Sequence, residues 1–406
     1  SVCRWIFPKK YANVVCMIEQ AIASLDSLKI ELPSWGFADT GTRFGKFLQD
    51  GSAIDTADKF ADAGMVNRLT ACCPAVAVHV LWDFSENQDG ASVASIATKH
   101  GVEIGSINAN LFQDQEYKLG SFGNPDGAIR QQAVKHSLGK DVGSDLFTLW
   151  FADGTNYPGQ DSIRDRKRRF QEGLRACHER LDESQVMLVE YKPFEPAFYH
   201  TDVADWGMSY LLCKDAGPQA KVLVDTGHHY ASQNIEQIVA WLLDEGMLGG
   251  FHFNDRRYAD DDLTLGSIDP YQVFRIFNEI HCYAEEEEGY PDIAYMVDQS
   301  HNLKPKIEAM LQTVMTAQDL WLKAALVDRD ALKRHQRSGA IVDAENVLKT
   351  AFNTNVDRLL GDWRSKNGVE ANPLNAYRAS GYGESIATER AQRRKDLGIQ
   401  SGAAYA

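Results

Sequence analysis

Val186-Met-Leu-Val-Glu190 and Lys221-Val-Leu-Val-Asp225-Thr-Gly-His228-His229 carry the reading that decides the fold. Each is a short apolar run ending in a carboxylate, and between them lies Thr201–Ala216, with helical spacing of its apolar residues. Strands that alternate with helices predict a parallel sheet, because parallel neighbours need a long crossover connection. Working outward, the same alternation recurs. Further candidate strands are Leu32–Phe37, Ala75–Trp82, Glu103–Asn108, Leu146–Phe151, Gly250–Asn254 and Ile293–Asp298. Helical periodicity fills the gaps at Thr56–Thr70, Ala91–His100, Ala128–Asp141, Asp161–Leu181, Asn234–Glu245 and Tyr271–Glu287, and again from Lys304 to Ala325. Eight such units predict a closed (β/α)8 TIM barrel over residues 31–326 rather than an open doubly wound sheet. Residues 1–30 form an N-terminal segment of little signal. Residues 327–406 form a C-terminal helical extension and tail, with a polar helical stretch at Asp330–Leu360 that wraps the barrel or a neighbouring subunit.

Nearly every predicted strand ends in a residue suited to chemistry or to stacking on a sugar: Trp35, His79 to Trp82, Asn108, Trp150, Glu190, Asp225, His252 and Asp298. In a (β/α)8 barrel all the carboxyl ends converge on one face, so these residues read as one site. The charge balance, 57 acidic against 42 basic residues for a net -15, repels polyanions and makes nucleic acid an unsuitable partner. The seven cysteines are scattered without a CxxC pair, a pattern of reduced thiols that fits the cytoplasm. No run of about 18 apolar residues suggests a membrane span, and Pro8-Lys9-Lys10 and Asn13 interrupt any leader-like apolar stretch.

Several motifs point to a metal centre, each weakly when taken alone. Asp225-Thr-Gly-His228 places a carboxylate and an imidazole near one cation at the start of a turn, and such an oxygen and nitrogen set suits Mn, Co, Mg or Zn. A helix N-cap is the ordinary alternative for such a carboxylate, and equally for Asp298-Gln-Ser-His301. Asp260-Asp-Asp262 reads by default as a solvated acidic loop. As a calcium loop it fails, because Gly266 falls one place late and Tyr271 stands where the bidentate Glu belongs. In Glu190-Tyr-Lys192-Pro-Phe-Glu195-Pro, a carboxylate and a lysine two residues apart share a face, either to hold a metal and a substrate oxygen or as a plain ion pair. Trp35, Trp82 and Trp150 at strand ends could face the C–H side of a sugar, with core packing as the alternative, whereas Trp206 sits within a helical run and reads as core. Joint occurrence at successive strand ends of one barrel is what turns these separate hints into a site.

Taken together, these motifs resemble the L-rhamnose isomerase signature, joined by Phe251-His252-Phe-Asn-Asp255, Pro33-Ser-Trp35-Gly, Gly41-Thr-Arg-Phe44 and Arg378-Ala-Ser-Gly-Tyr382. The resemblance spans Pro33 to Tyr382 and is more distantly similar to the xylose isomerases. It implies two divalent cations per subunit, Mn²⁺ foremost, with Co²⁺, Mg²⁺ or Zn²⁺ as alternatives. Carried across, Glu190, Asp225, His252 and Asp298 hold the first, and His228, Asp260 and Asp262, with Asp225 bridging, hold the second. Xylose isomerases have a carboxylate in place of His252, so Asn254 or Asp255 stays open as the neighbour of the metal. The implied activity is interconversion of L-rhamnose and L-rhamnulose, or of related aldoses such as L-mannose, L-lyxose and D-allose, by a metal-assisted 1,2-hydride shift. Lys192 is then aimed at O1, Asp262 relays hydroxyl protons through a water, and His79 with Asp83 assists ring opening. Trp35, Phe44, His79, Trp82, Phe112, Trp150 and Lys192 line the sugar, and Phe44 covers the pocket from its own or a neighbouring subunit. The assembly implied is a homotetramer or homodimer. A single-metal keto-sugar 3-epimerase on the same fold is the rival reading; it would use Glu190, Asp225, His252 and Asp298 and leave Lys192, Asp260 and Asp262 without a task.

Overall fold

The computed structural model describes residues 9–42, 45–84, 89–137, 143–195, 199–258 and 260–400. Among these residues, eight parallel strands pair in chain order and close on themselves: β1 (Ile30–Pro33), β2 (Ala75–His79), β3 (Glu103–Asn108), β4 (Leu146–Leu149), β5 (Val186–Glu190), β6 (Ala220–Asp225), β7 (Leu248–Phe253) and β8 (Ala294–Val297). A helix follows each strand: α1 (Thr56–Thr70), α2 (Gly90–Lys99), α3 (Gly127–Ser137), α4 (Ile163–His178), α5 (Trp206–Ala216), α6 (Ile235–Asp244), α7 (Pro270–Glu286) and α8 (Lys306–Ala325). The expected TIM barrel is the observed one.

Local chemistry starts these helices where they start. Asp55, Asp205, Asn234 and Asp269 each stand just before a first turn and accept from the backbone N–H three residues on, which satisfies a donor the helix cannot. Pro270 follows Asp269 at the first helical position, where its missing N–H costs nothing. The helix expected from Thr201 therefore begins only at Trp206, behind its Asp205 cap, and the one expected from Asp161 begins at Ile163 behind Ser162.

Parallel strands are covered on both faces, so they run almost wholly apolar, and their two-residue period sorts side chains between two cores. On β5, Met187 and Val189 belong to the large core between sheet and helices. Leu188 points the other way and packs in the lumen with Leu223 and Met296. Burying each such side chain contributes roughly 2 kcal/mol. Two residues further along the same three strands stand Glu190, Asp225 and Asp298. The lumen plug is thus the floor of whatever those carboxylates form.

Three strand ends fall two or more residues short of the sequence-based boundaries, and β7 and β8 each end one residue early. β1 stops at Pro33, and Ser34–Phe37 turns as a 3-10 helix, with the Ser34 hydroxyl donating to Asp83 at 2.6 Å. Trp35 is therefore carried over the rim rather than along a strand. β2 stops at His79 rather than Trp82, because Trp82 N and Asp83 N both fold back to the His79 carbonyl at 3.1 Å. β4 ends at Leu149, leaving Trp150 and Phe151 in the loop.

The Lys9–Ser24 helix precedes the barrel. Five helices follow it: α9 (Arg329–Ser338), α10 (Ile341–Phe352), α11 (Asp357–Lys366), α12 (Pro373–Ala379) and α13 (Tyr382–Leu397). They wrap this barrel. Trp363 donates to Asp26 at 3.0 Å, Arg364 to Gln318 at 2.6 Å, and Arg390 to buried Asp62 at 2.7 Å. Cys72, Cys73, Cys177, Cys213 and Cys282 are free thiols. Among the described residues, no helix is long and apolar enough to cross a membrane.

Candidate active site

The carboxyl ends of β5 to β8 bring together Glu190, Asp225, His252 and Asp298, with one ligand-type atom of each within 4.8 Å of all the others. Strand register makes the cluster: Asp225 of β6 stands beside His252 of β7. His252 Nδ1 lies 3.3 Å from Glu190 Oε2 and 3.6 Å from Asp298 Oδ2. Burial opposes the charge of Glu190, yet His252 and His228 outweigh it and hold the carboxyl well below its usual range. Burial and the repulsion of Glu190 and Asp298 push Asp225 up to about 7, against the pull of His228.

His228 begins a second group. Its Nδ1 donates to the Tyr191 carbonyl at 3.0 Å, which leaves Nε2 facing Asp260 Oδ1 at 2.8 Å and Asp225 Oδ2 at 3.9 Å. Asp260 and Asp262 both adopt left-handed backbone, with φ of 56° and 50°, a conformation that a non-glycine residue holds only when its surroundings enforce it. Between them Asp261 accepts from Tyr258 N at 2.9 Å, so the acidic triplet is not a uniformly solvated loop. Burial, then the negative charges of Asp260, Asp298 and Asp225, drive the Asp262 carboxyl far above its usual range.

The group of Glu190, Asp225, His252 and Asp298 could hold a divalent cation. The two ring nitrogens of His252 are buried without a hydrogen-bond partner, a costly state that coordination would relieve. The crowding of carboxylates around Asp225 and Asp262 is repulsion that a bound cation would reverse. Nδ1–H of His228 on a backbone carbonyl fixes the tautomer that leaves Nε2 as the ligand atom. Of the alternatives to His252, Asp255 is engaged elsewhere, whereas Asn254 holds Asp225 through its Nδ2 and keeps a buried Oδ1 without a partner. Asn254 Nδ2 donates to both oxygens of Asp225, at 3.0 and 3.1 Å, and Asp255 accepts from Ile268 N at 2.7 Å and Asp269 N at 2.9 Å.

Lys192 reaches over this centre. It is paired with Asp260 and with Glu195 at 2.8 Å, and lies 4.9 Å from the centre of the Trp150 ring. Burial works against its charge, but those two carboxylates raise its pKa above the usual lysine value. On the opposite side, Trp35, His79, Trp82, Phe112 and Trp150 complete a cavity of about 590 Å³. His79 and Trp82 stack with ring centres 3.8 Å apart, and Phe112 meets Trp150 edge to face at 5.0 Å. Leu81 N donates to His79 Nδ1 at 3.2 Å, so the ring proton sits on Nε2. Burial, with Lys59 nearby, lowers the His79 pKa to about 3 and keeps the ring neutral.

One assignment is corrected by this geometry. Asp83 is buried away from the cavity and accepts from Lys59 Nζ at 2.7 Å, Ser34 Oγ at 2.6 Å and His79 N at 2.7 Å. It anchors the β2 end and does not partner the His79 ring. Phe44 lies outside the described residues. Sequence reasoning missed three supports: Asn254 under Asp225, Glu195 on Lys192, and Trp35 Nε1 donating to Asp298 Oδ1 at 2.8 Å. All three residues stood inside quoted motifs, Glu195 three residues past Lys192 and Asn254 two past His252, but the bonds that give them these roles left no signal.

No family model matches the chain. A protein of Rhizobium meliloti (strain 1021) named as a probable sugar isomerase is 39% identical over 384 residues, covering 92% of this chain and 89% of that protein. A probable sugar isomerase of Mesorhizobium japonicum is 38% identical over 384 residues, covering 92% of this chain and 88% of its own length. The xylose isomerase of Thermus thermophilus is 27% identical over 181 residues, which is 41% of this chain and 46% of that enzyme. With near-full-length relatives at this identity, and a barrel whose strand ends gather the acids and histidines just described, the chain belongs to this family of sugar isomerases.

Proposed function

We propose that the protein is a divalent-metal-dependent aldose–ketose isomerase that interconverts L-rhamnose and L-rhamnulose, with related aldoses as further substrates. The observation that supports this reading is the four-ligand group at the strand ends, with His228 Nε2 3.9 Å from its Asp225 and Lys192 paired to Asp260 beside it. A single-metal 3-epimerase would have no use for His228, Asp260, Asp262 and Lys192 together.

Glu190, Asp225, His252 and Asp298 would hold one cation, and His228, Asp260, Asp262 and Asp225 a second, Mn²⁺ being the first choice for oxygen and imidazole donors. Bound there, the cations supply Lewis acidity at neighbouring sugar oxygens, an effect worth several kcal/mol in such sites. Lys192, held charged by Asp260 and Glu195, donates to O1 as negative charge develops on it. Asp262 exchanges the hydroxyl proton that must move between O1 and O2. Neutral His79 offers Nε2–H to the ring oxygen during opening. Trp35, Trp82, Phe112 and Trp150 cover the C–H face of the open chain and exclude water. With Glu190, Asp225 and Asp298 engaged and Asp262 committed to the hydroxyl proton, no carboxylate is left to take a proton from carbon. The hydrogen then passes as hydride from C2 to C1 within the sugar, C2 becoming the carbonyl as C1 becomes the alcohol carbon.

The subunits assemble as a homotetramer or homodimer, a reading supported by the exposed apolar side chains of Met208, Leu211 and Trp241 on α5 and α6 and measurable by light scattering. The direct test of function is turnover of L-rhamnose by chelated protein with and without added Mn²⁺. Restoration of activity by the metal is expected, and full turnover by the chelated protein would overturn the reading.

A further inference from the structure

The last helix, α13, is joined to the barrel by three arginines that do different things. Arg393, partly exposed, pairs with Asp58 of α1 at 2.9 Å and with Asp55, the residue that caps α1, at 2.5 Å, and so ties α13 to the first turn of α1. Arg390 donates to Asp62 of α1 at 2.7 and 2.8 Å and also to the Gly51 carbonyl at 2.8 Å. Arg394 does not touch α1. Its guanidinium is buried and grips the connection between β1 and α1 alone: the Asp50 carbonyl at 2.9 Å, the Ser52 carbonyl at 2.8 Å and Asp39 Oδ2 at 2.9 Å.

Asp39 is the joint between that grip and the rim of the cavity. Its other oxygen accepts from Gln49 N at 2.8 Å, so one carboxylate pins both limbs of the connection. The side chain of Gln49 donates to the Asn302 carbonyl at 2.9 Å. Next to Asp39, Thr40 Oγ1 accepts from Ser300 Oγ at 3.1 Å. Ser300 lines the sugar cavity and lies two residues beyond Asp298. On the near side of the connection, Trp35 Nε1 holds Asp298 Oδ1 at 2.8 Å. The wall formed by residues 298–302 is thus fastened to a connection whose own base rests on Arg394.

We infer that Arg394 is a positioning residue for the sugar cavity, setting the β8-loop wall through Asp39, Thr40–Ser300 and Gln49–Asn302. This rests on reading the cavity as the sugar site. A guanidinium suits the task, because its planar fork can bind two carbonyls and a carboxylate at once, which an ammonium cannot match. Its removal takes the hydrogen-bonded guanidinium from buried Asp39 and leaves only the more distant charge of Lys306, so the connection must shift to hydrate the carboxylate.

The test compares Arg394→Ala, Arg394→Lys and Asp39→Asn with Arg393→Ala, which loosens the same helix by freeing Asp58 and the α1 cap Asp55 but leaves Asp39 and the carbonyls of residues 50–52 held. Hydrogen exchange is read over residues 36–54 and 298–304, together with metal content and the KM and kcat of whichever aldose the wild type turns over. Arg394→Ala is expected to speed exchange in both segments, and to raise KM about tenfold with kcat within about twofold and metal content unchanged. Arg394→Lys should lie between it and the wild type. Arg393→Ala should move stability but neither KM nor exchange over 298–304. If Arg394→Ala does not fold, Asp39→Asn carries the same expectation. Unchanged exchange over 298–304, or equal KM shifts for Arg394→Ala and Arg393→Ala, would overturn the inference. If the wild type turns over no aldose, the proposed function fails, while the exchange result still decides the role of Arg394.

Discussion

The two halves of the barrel mouth differ completely in chemistry. The arc after β1 to β4 presents Trp35, His79, Trp82, Phe112 and Trp150, uncharged and mostly aromatic, whereas the arc from β5 to β8 presents Glu190, Lys192, Asp225, His228, His252, Asp260, Asp262 and Asp298. Because the strands are laid down in chain order, this split of the mouth is also a split of the sequence. One arc supplies fixed charges; the other supplies surface that needs no counter-ion. A sugar has both kinds of surface, hydroxyl oxygens and a C–H face, and a cavity with two such walls can orient it without losing charge to water.

The comparison breaks most visibly on the charged side. Glu190→Gln is expected to lower kcat by about three orders of magnitude and to weaken metal retention, since it removes charge from the four-ligand group. Metal analysis alongside kinetics checks it; an active variant with full metal content would mean the arc is only structural. His228→Asn should cost kcat about two orders of magnitude and remove one of two bound cations. Unchanged stoichiometry and kcat would reduce Asp225-Thr-Gly-His228 to a loop feature.

The aromatic arc should respond differently. Trp82→Ala removes the ring stacked on His79 and should raise KM roughly tenfold, with kcat changed little and metal content not at all. A variant that instead lost metal would show that the two arcs are not separable.

A control lies in neither arc. His281, packed under the barrel, accepts from Tyr290 OH at 2.8 Å and contacts the Trp321 ring. Burial, then the charge of Arg329, lowers its pKa to about 3. Its folded pKa is depressed below the unfolded value, so its contribution is complete above about pH 6.5. That contribution erodes as the pH falls toward 3, by at most about 1.4 kcal/mol per pH unit. His281→Asn should flatten the stability–pH slope between pH 6.5 and 4, followed by urea unfolding, and leave activity at pH 7 untouched. An unchanged slope would assign the acid lability to the charged arc instead.

These contrasts also mark where the sequence was legible. Glu190, Asp225, His252 and Asp298 could be read because each stands at or beside the end of an apolar run, which a barrel puts on one face, whereas His228, Asp260 and Asp262 lie in loops and were read through the motif resemblance. The aromatic arc was read in composition but not in posture: β1 stops at Pro33, and Trp35 reaches Asp298 only because of the 3-10 turn that follows. Asp83 was misread because the three donors that occupy it, from residues 34, 59 and 79, include two far away in the chain. The bond from Asn254 to Asp225 and those of the α13 arginines gave no local signal for the same reason. Their roles lie in hydrogen bonds across 29 residues for Asn254 and 355 for Arg394, and such pairings are set by the closed barrel, not by any local period.

The central claim is that the charged arc moves hydrogen between C1 and C2 of an aldose with no protein base acting on carbon. It is tested most directly by running the isomerisation in D₂O with metal-loaded protein and reading the product by NMR. The account predicts a ketose with the carbonyl at C2, unchanged configuration at C3, and almost no deuterium at C1. Substantial deuterium at C1, or inversion at C3, would contradict it and point to a carboxylate acting as base, as in the 3-epimerase reading.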